Sequence, residues 1–476
     1  DSDPGNATLV NGTSIFYIQP KTARHNGIAS TPATSPALAF ATATLNAITA
    51  ASTYTANSNN TENYLLVMVP AETPLPGSAG GRGGSVSNQT AGVDFNVTVR
   101  AVDSRFNRRT DNPQITISIS SSSDPNFDTF NSVGLGIGSF GEGTISPVRF
   151  RTVGSQRLAV NAGGWQVVND TSSVVTVQAS SFTRLQVLIP GEYPVEGAGK
   201  SGTPLNNNTG TAGNTMLVTV RATDMQWNLV STNTLNNVTI SGSDGYATYP
   251  DGTANTLSGG QRNFRVVFYT SSTAANISVN TGIPGILSDI SGNFNVSAST
   301  PVRLQVLMPG ETSLPGQFPD AGGKSGTPNQ LAAGVSTTVA VNLVDQYFNR
   351  VSTSAAFAYL RTADLYDTEP SSANLHLYGG TSNFTLLFKT VNAAPGWRVT
   401  AATASGVYYQ EGHSTVTVTY GAADRLRVLL PGESADPGSP SGKSGNSTAQ
   451  VAGSTFGVTV ELTDSNWNRV TSGSMP

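Results

Sequence analysis

Two short phrases each return four times along this 476-residue chain, about 120 residues apart, and that period constrains the fold more than any other feature. One reads LLVMVPAE from Leu65, LQVLIPGE from Leu185, LQVLMPGE from Leu304 and LRVLLPGE from Leu426. Its prolines, Pro70, Pro190, Pro309 and Pro431, stand 120, 119 and 122 residues apart. The other phrase keeps step: Asp103…Phe106-Asn107, Asp224…Trp227-Asn228, Asp345…Phe348-Asn349 and Asp464…Trp467-Asn468. A fixed period means one structural unit used repeatedly.

Within each unit apolar residues alternate with polar ones, as from Phe95 to Asp103, Met216 to Ala222 and Ser414 to Tyr420. β-Branched and aromatic residues fill these runs, and Gly, Pro, Asn, Asp and Ser fill the gaps. No amphipathic helix is visible. Roughly seven short strands per unit predict an all-β chain of tandem immunoglobulin-like β-sandwiches. The expected organisation is the C-terminal half of a module over residues 1–61, complete modules over 62–181, 182–301 and 302–423, and the N-terminal half of a module over 424–476. Ser180 to Thr183 and Ser299 to Val302 are too short for flexible tethers. The modules are therefore expected to follow one another as a stiff head-to-tail rod.

Composition removes several function classes. A net charge of −4 and a pI near 5.4 offer no basic footprint for nucleic acid and no polybasic patch for anionic lipid. Charged residues are 11% of the chain, against about 25% in an ordinary soluble domain, so solubility rests on hydroxyls and amides. There is no cysteine, hence no disulfide framework and no thiolate chemistry. No apolar run reaches the ~18 residues needed to span a bilayer. Asp1 is not followed by a basic and then apolar leader, as expected if a signal peptide has been removed or was never within this sequence.

The run Ala212-Gly213…Val218-Thr219-Val220…Asp224-Met225-Gln226-Trp227-Asn228 has Ala91-Gly92, Ala333-Gly334 and Ala452-Gly453 at the same place in the other units. It resembles the tandem bacterial immunoglobulin-like repeats of extracellular adhesins and fibrous cell-surface proteins. The resemblance implies a sandwich fold, an extracellular or cell-surface location and a scaffolding role. It hands over no catalytic residue.

The two ends read as complementary halves. The segment from Asp424 holds the opening strand, the Gly/Pro stretch, the second strand and the Asp464…Trp467-Asn468 corner. The first segment supplies what comes later in a module: Leu9 to Phe16 aligns without a gap with Leu377 to Phe384. Each half alone would expose unpaired backbone and an apolar sheet face. Joining the tail of one copy to the head of another would close both, and a heterologous contact of this kind grows filaments. The expected assembly residues are Leu9, Ile15, Phe16 and Ile18 in the head and Phe456, Val458, Val460 and Trp467 in the tail. The expected partners are other copies of the chain, with glycans or a host or cell surface as further candidates. The alternative is a stretch of a giant repeat-containing adhesin or stalk that binds glycan or protein receptors.

Other constellations carry less. Gly199-Lys200-Ser201, Gly323-Lys324-Ser325 and Gly442-Lys443-Ser444 look like the end of a phosphate-binding loop. That loop needs a glycine where Pro194, Phe318 and Pro437 stand, so a Gly/Pro loop is expected instead. In the Asp-x-x-aromatic-Asn corner, Asp is expected to cap the turn, the aromatic to plug the end of the core and Asn to take the left-handed conformation. The functional alternative makes Asp224 and Asn228, with Glu192, oxygen ligands for calcium between modules. No other cofactor is expected. Twelve Asn-x-Ser/Thr sequons make Asn6, Asn11, Asn59, Asn88, Asn169, Asn207 and Asn446 glycosylation candidates. His25, His376 and His413 are scattered, Asp364 and Asp367 have no recurring partner, and no enzyme activity is expected. Trp165 and Trp397, outside the shared corner, are the candidates for glycan contact.

Overall fold

The computed structural model describes residues 7, 10, 13–22, 37–41, 49–53, 58, 59, 61 and 63–472, the last without 110–114, 129–132, 136–140, 163–166, 236, 319–321 and 370–374. Among the described residues the chain is strand and turn throughout, and helix is confined to one 3-10 turn, Pro204–Asn207.

Alternation decides which face each strand buries. In Ile115–Ser120 every isoleucine is buried and every hydroxyl residue exposed, because successive side chains of a strand point to opposite faces. The same rule builds one antiparallel three-stranded sheet in each complete module. An opening strand pairs with a long second strand, and that with a closing strand. These are Tyr64–Met68, Phe95–Val102 and Glu142–Val148 in the first module. Arg184–Leu188, Thr215–Thr223 and Gln261–Val267 form the second, and Arg303–Leu307, Ser336–Val344 and Thr381–Leu387 the third.

The opposing sheet is clearest in the third module. Leu331–Ala332 runs parallel to Gly412–Thr419, which pairs in turn with Asn392–Ser405, Phe357–Thr362 and Leu375–His376. The start of the module thus pairs in one sheet, crosses over, and pairs in the other. The first and second modules repeat this parallel crossover pairing through Gln89–Thr90 with Val175–Gln178 and Gly210–Thr211 with Phe294–Ser297. This strand order is that of an immunoglobulin-like sandwich. Before the crossover each module inserts a hairpin, such as Glu192–Val195 with Gly199–Gly202.

Three separate apolar cores fill the spaces between sheets. Phe150 in the first, Phe264 in the second, and Phe384 and Phe388 in the third are fully buried. Each such side chain contributes about 1.5–3 kcal/mol by leaving water.

The end segments are simpler. Ala423–Leu429 pairs with Thr459–Asp464, and Glu433–Ala435 with Lys443–Gly445, so the last unit has an opening strand, a hairpin and a second strand. In the first segment Ala37–Ala41 pairs with Thr49–Thr53. Val10 and Thr13 form the same antiparallel bridge that precedes the closing strand as Ser258 with Gln261 and Tyr378 with Thr381.

Candidate functional site

The recurring corner is a joint between modules. In each copy the aspartate accepts hydrogen bonds from the amides two and four residues on, for example Asp345 from Tyr347 (2.8 Å) and Asn349 (2.9 Å). Its second oxygen accepts an amide of the linker behind it. The donors are Asn59 to Asp103 (3.1 Å), Ser180 to Asp224 (3.0 Å), Ser299 to Asp345 (2.8 Å) and Gly421 to Asp464 (2.8 Å). The asparagine then reaches into the preceding unit. Its Nδ2 donates to the carbonyl of Lys21 (2.9 Å) from Asn107, Arg151 (2.8 Å) from Asn228, Tyr269 (2.7 Å) from Asn349 and Lys389 (2.8 Å) from Asn468. Its Oδ1 accepts from Val153, Ser271 and Val391 in the later three copies. All four aspartates and all four asparagines are buried, so these bonds act where water competes least.

The left-handed residue of the corner is the aromatic, not the asparagine: φ is 62° at Phe106, 69° at Trp227, 62° at Phe348 and 63° at Trp467. The asparagine side chain is committed to the joint, and the backbone turns one residue earlier. The aromatic does not plug the sandwich core either. Its ring lies against the hairpin glycine, where a Cβ on Gly81, Gly323 or Gly442 would overlap it. Arginine guanidinium groups cover it at 4.3 Å (Arg184 on Trp227), 4.8 Å (Arg303 on Phe348) and 4.8 Å (Arg425 on Trp467).

Two further contacts complete each joint. The hairpin presents Gly77, Gly197, Gly316 and Gly438 to Thr22, Thr152, Thr270 and Thr390 of the preceding unit, with no room for a Cβ. The threonine is itself held by an aspartate that recurs at 120-residue intervals. Asp124 accepts the Thr152 hydroxyl (2.6 Å), Asp244 that of Thr270 (2.7 Å), and Asp364 the Thr390 amide (2.9 Å). Asp364 therefore does have recurring counterparts, contrary to the sequence reading. Its own flank, RTAD, shares nothing but the aspartate with SSSD and SGSD of the other two modules. The period alone could have found it.

The Gly-Lys-Ser repeats are hairpin strands. Lys200, Lys324 and Lys443 pair with Glu192 (3.0 Å), Glu311 (2.7 Å) and Glu433 (2.9 Å). Each lysine also donates to a carbonyl of the opening strand. The proposed calcium set is thereby divided. Glu192 accepts the Ile189 amide (3.0 Å) and faces Lys200, while the Asp224 carboxylate is filled by the amides of Ser180, Gln226 and Asn228. Among the described residues no group of three or more His, Cys, Asp or Glu side chains is placed to hold a metal ion.

The last unit has an open face. Leu426 and Val428 are 52% and 44% exposed, where their counterparts Leu304 and Val306 are 2% and 1%. Val458 and Val460 are 46% and 45% exposed, where Val339 and Val341 are fully buried. Phe456 is 48% exposed. The second strand is also shorter, six residues against nine in Thr215–Thr223 and Ser336–Val344. In the complete module Ser336 to Thr338 pair only with the closing strand, so without one the ladder starts later. Trp467 lies at the joint rather than on this face, its indole N–H donating to Pro440 (3.3 Å).

In the head, Ile15 is exposed and Phe16 and Ile18 are half-buried, whereas Leu9 lies outside the described residues. Of the sequons, Asn59, Asn88, Asn169, Asn207 and Asn446 are exposed, and Asn6 and Asn11 lie outside the described residues. Trp165 also lies outside them. Trp397 is half-buried at the edge of the third core, its indole donating to Thr390 (2.7 Å).

No protein-family model and no curated protein sequence matches the chain. Solved structures with a partial likeness include the Escherichia coli adhesin FdeC, at 13% identity over 75% of this chain and 96% of that one, TM-score 0.26. A titin I-band fragment, I67–I69, matches at 8% identity over 71% and 95%, TM-score 0.20. The complex of Dpr2 Ig1-Ig2 with DIP-Theta Ig1-Ig3 matches at 8% over 70% and 97%, TM-score 0.24. The fold assignment rests on the strand order described above.

Proposed function

We propose that this chain is a non-catalytic structural subunit of an extracellular filament, growing head to tail as the open last unit of one copy is completed by the first segment of another. One observation supports this above the rest: positions that are buried core in three modules are about half exposed in the fourth, and its second strand is short by the residues that need a closing strand. An apolar sheet face with an unpaired edge is a template for strand addition. The buried hydrogen-bonded joints suit a chain that carries load along its length. Exposed sequons such as Asn88 and Asn169 are available to glycosylation, which would supply surface polarity that so few charges do not.

The test is electron microscopy and sedimentation of the whole chain against a variant lacking 424–476. Concentration-dependent fibres from the first and monomers from the second are expected. Fibres from the truncated variant, or a whole chain that stays monomeric, would overturn the reading. The second of these outcomes would favour a receptor-binding stalk whose last face is covered by other sequence.

A further inference from the structure

We infer that the open face takes up Thr13–Gln19 of a second copy in one fixed antiparallel register, and that the junction so formed reproduces the joints inside the chain. This rests on the filament reading and specifies how its contact is made.

The register follows from the complete modules. In the third, Thr337, Val339 and Val341 of the second strand stand opposite Leu386, Phe384 and Ser382 of the closing strand. Aligned on the corner aspartate, Val339 corresponds to Val458 and Thr337 to Phe456. Aligned on the gapless head match, Phe384 corresponds to Phe16 and Leu386 to Ile18. Val458 therefore meets Phe16, Phe456 meets Ile18, and Val460 meets Ser14. On the outward face Thr459 meets Ile15 and Gly457 meets Tyr17. A shift of one residue would turn Phe16 and Ile18 out to solvent.

The head already has the features of a closing strand. Val10 and Thr13 exchange backbone hydrogen bonds of 3.0 and 3.1 Å, the turn that starts the closing strand elsewhere. Exposure alternates from Ser14 to Gln19, with Ile15 74% and Tyr17 86% exposed. Phe16 and Ile18 are half-buried where Phe384 and Leu386 are 1% exposed.

The far end of the same run is locked as well. Lys21 and Thr22 repeat the Lys389-Thr390 pair that follows the third closing strand. Asn107 binds the Lys21 carbonyl at 2.9 Å as Asn468 binds that of Lys389 at 2.8 Å. The Thr22 hydroxyl reaches the Pro76 carbonyl (3.4 Å), as that of Thr390 reaches Pro437 (3.5 Å). The strand is thus seated on the first module as though a whole module preceded it. A copy that donates its open face to this strand continues the module-to-module geometry without a break. The occupant is a second copy because three complete modules separate the two segments in one chain.

The absence of native cysteine makes the register directly readable. Opposed strand residues lie within disulfide reach. The Ile15→Cys, Thr459→Cys double variant is compared with Ile15→Cys, Glu461→Cys, which is displaced by two residues. Filaments are grown under reducing conditions, which also shows that each variant folds and assembles, and are then oxidised. A ladder of disulfide-linked multimers on a non-reducing gel from the first variant, and monomers from the second, is expected. Should the first variant not assemble, Tyr17→Cys with Gly457→Cys tests the same register. Filaments that link only through the displaced pair, or through neither in-register pair, would overturn the register and leave the filament reading standing. A parent chain that forms no filaments would overturn both.

Discussion

At the residue scale the corner holds a bulky aromatic in the left-handed region, a conformation that costs about 1–2 kcal/mol for a residue with a Cβ. The arginine and the hairpin glycine pressed on the ring offset that cost. Gly323→Ala would drive a Cβ into Phe348 at a φ of 65°. It is expected to lower the melting temperature by several degrees, whereas Gly282→Ala, at a φ of 67° with nothing near, reports the backbone strain alone. Comparison of the two melts checks it. Asn349→Ala strands the Ser271 amide, the Tyr269 carbonyl and one side of Asp345 in a buried joint. A loss of about 1–3 kcal/mol is expected, visible as faster hydrogen exchange at Ser271. Burial raises the pKa of Asp289, outweighing the Val187 amide that favours its charged form. A carboxyl whose folded pKa lies above its unfolded one lends stability at low pH and loses it as pH rises through the folded value. Asp289→Asn, which keeps an acceptor for Val187, is therefore expected to raise the melting temperature at pH 7 and not at pH 3. The repeating sequence made the corner legible as a turn. It could not show which residue goes left-handed, because that is set by an asparagine whose partner is a carbonyl about 80 residues away.

At the element scale, alternation in Phe95 to Asp103 and its counterparts was enough to place the strands and the core face, since their leading residues are buried on one side only; the last residues, such as Arg221 and Thr223, are buried on both. The hairpins were harder. Gly-Lys-Ser read as the end of a phosphate loop or as an irregular one, whereas its lysine pairs with the glutamate that ends the Pro-Gly-Glu phrase. The two phrases are partners, a relation that a one-dimensional pattern does not display. The shortened second strand gives a direct measurement. Amides of Thr455 to Val458 are expected to exchange as an unpaired chain in the dispersed protein, and to become protected like those of Ser336 to Val339 once assembled. Unchanged exchange on assembly would mean that the added contact lies elsewhere.

At the scale of the whole molecule, three cores fill three modules, and the units are joined by one corner used four times, with Tyr347 of the third module also packed against Tyr269 and the second core. Val458→Asp is expected to abolish assembly while leaving the thermal transitions of the three closed modules in place, since its side chain belongs to none of their cores. Calorimetry beside sedimentation checks both halves of that statement. The carbonyls captured by the four asparagines belong to Lys21, Arg151, Tyr269 and Lys389, each followed by the threonine that meets the hairpin glycine. A connection whose two sides recur at every joint takes any unit of the same repeat as its neighbour. Genes for such a molecule could gain, lose or reorder whole units by recombination and still encode something that fits together, with reach adjusted by copy number alone.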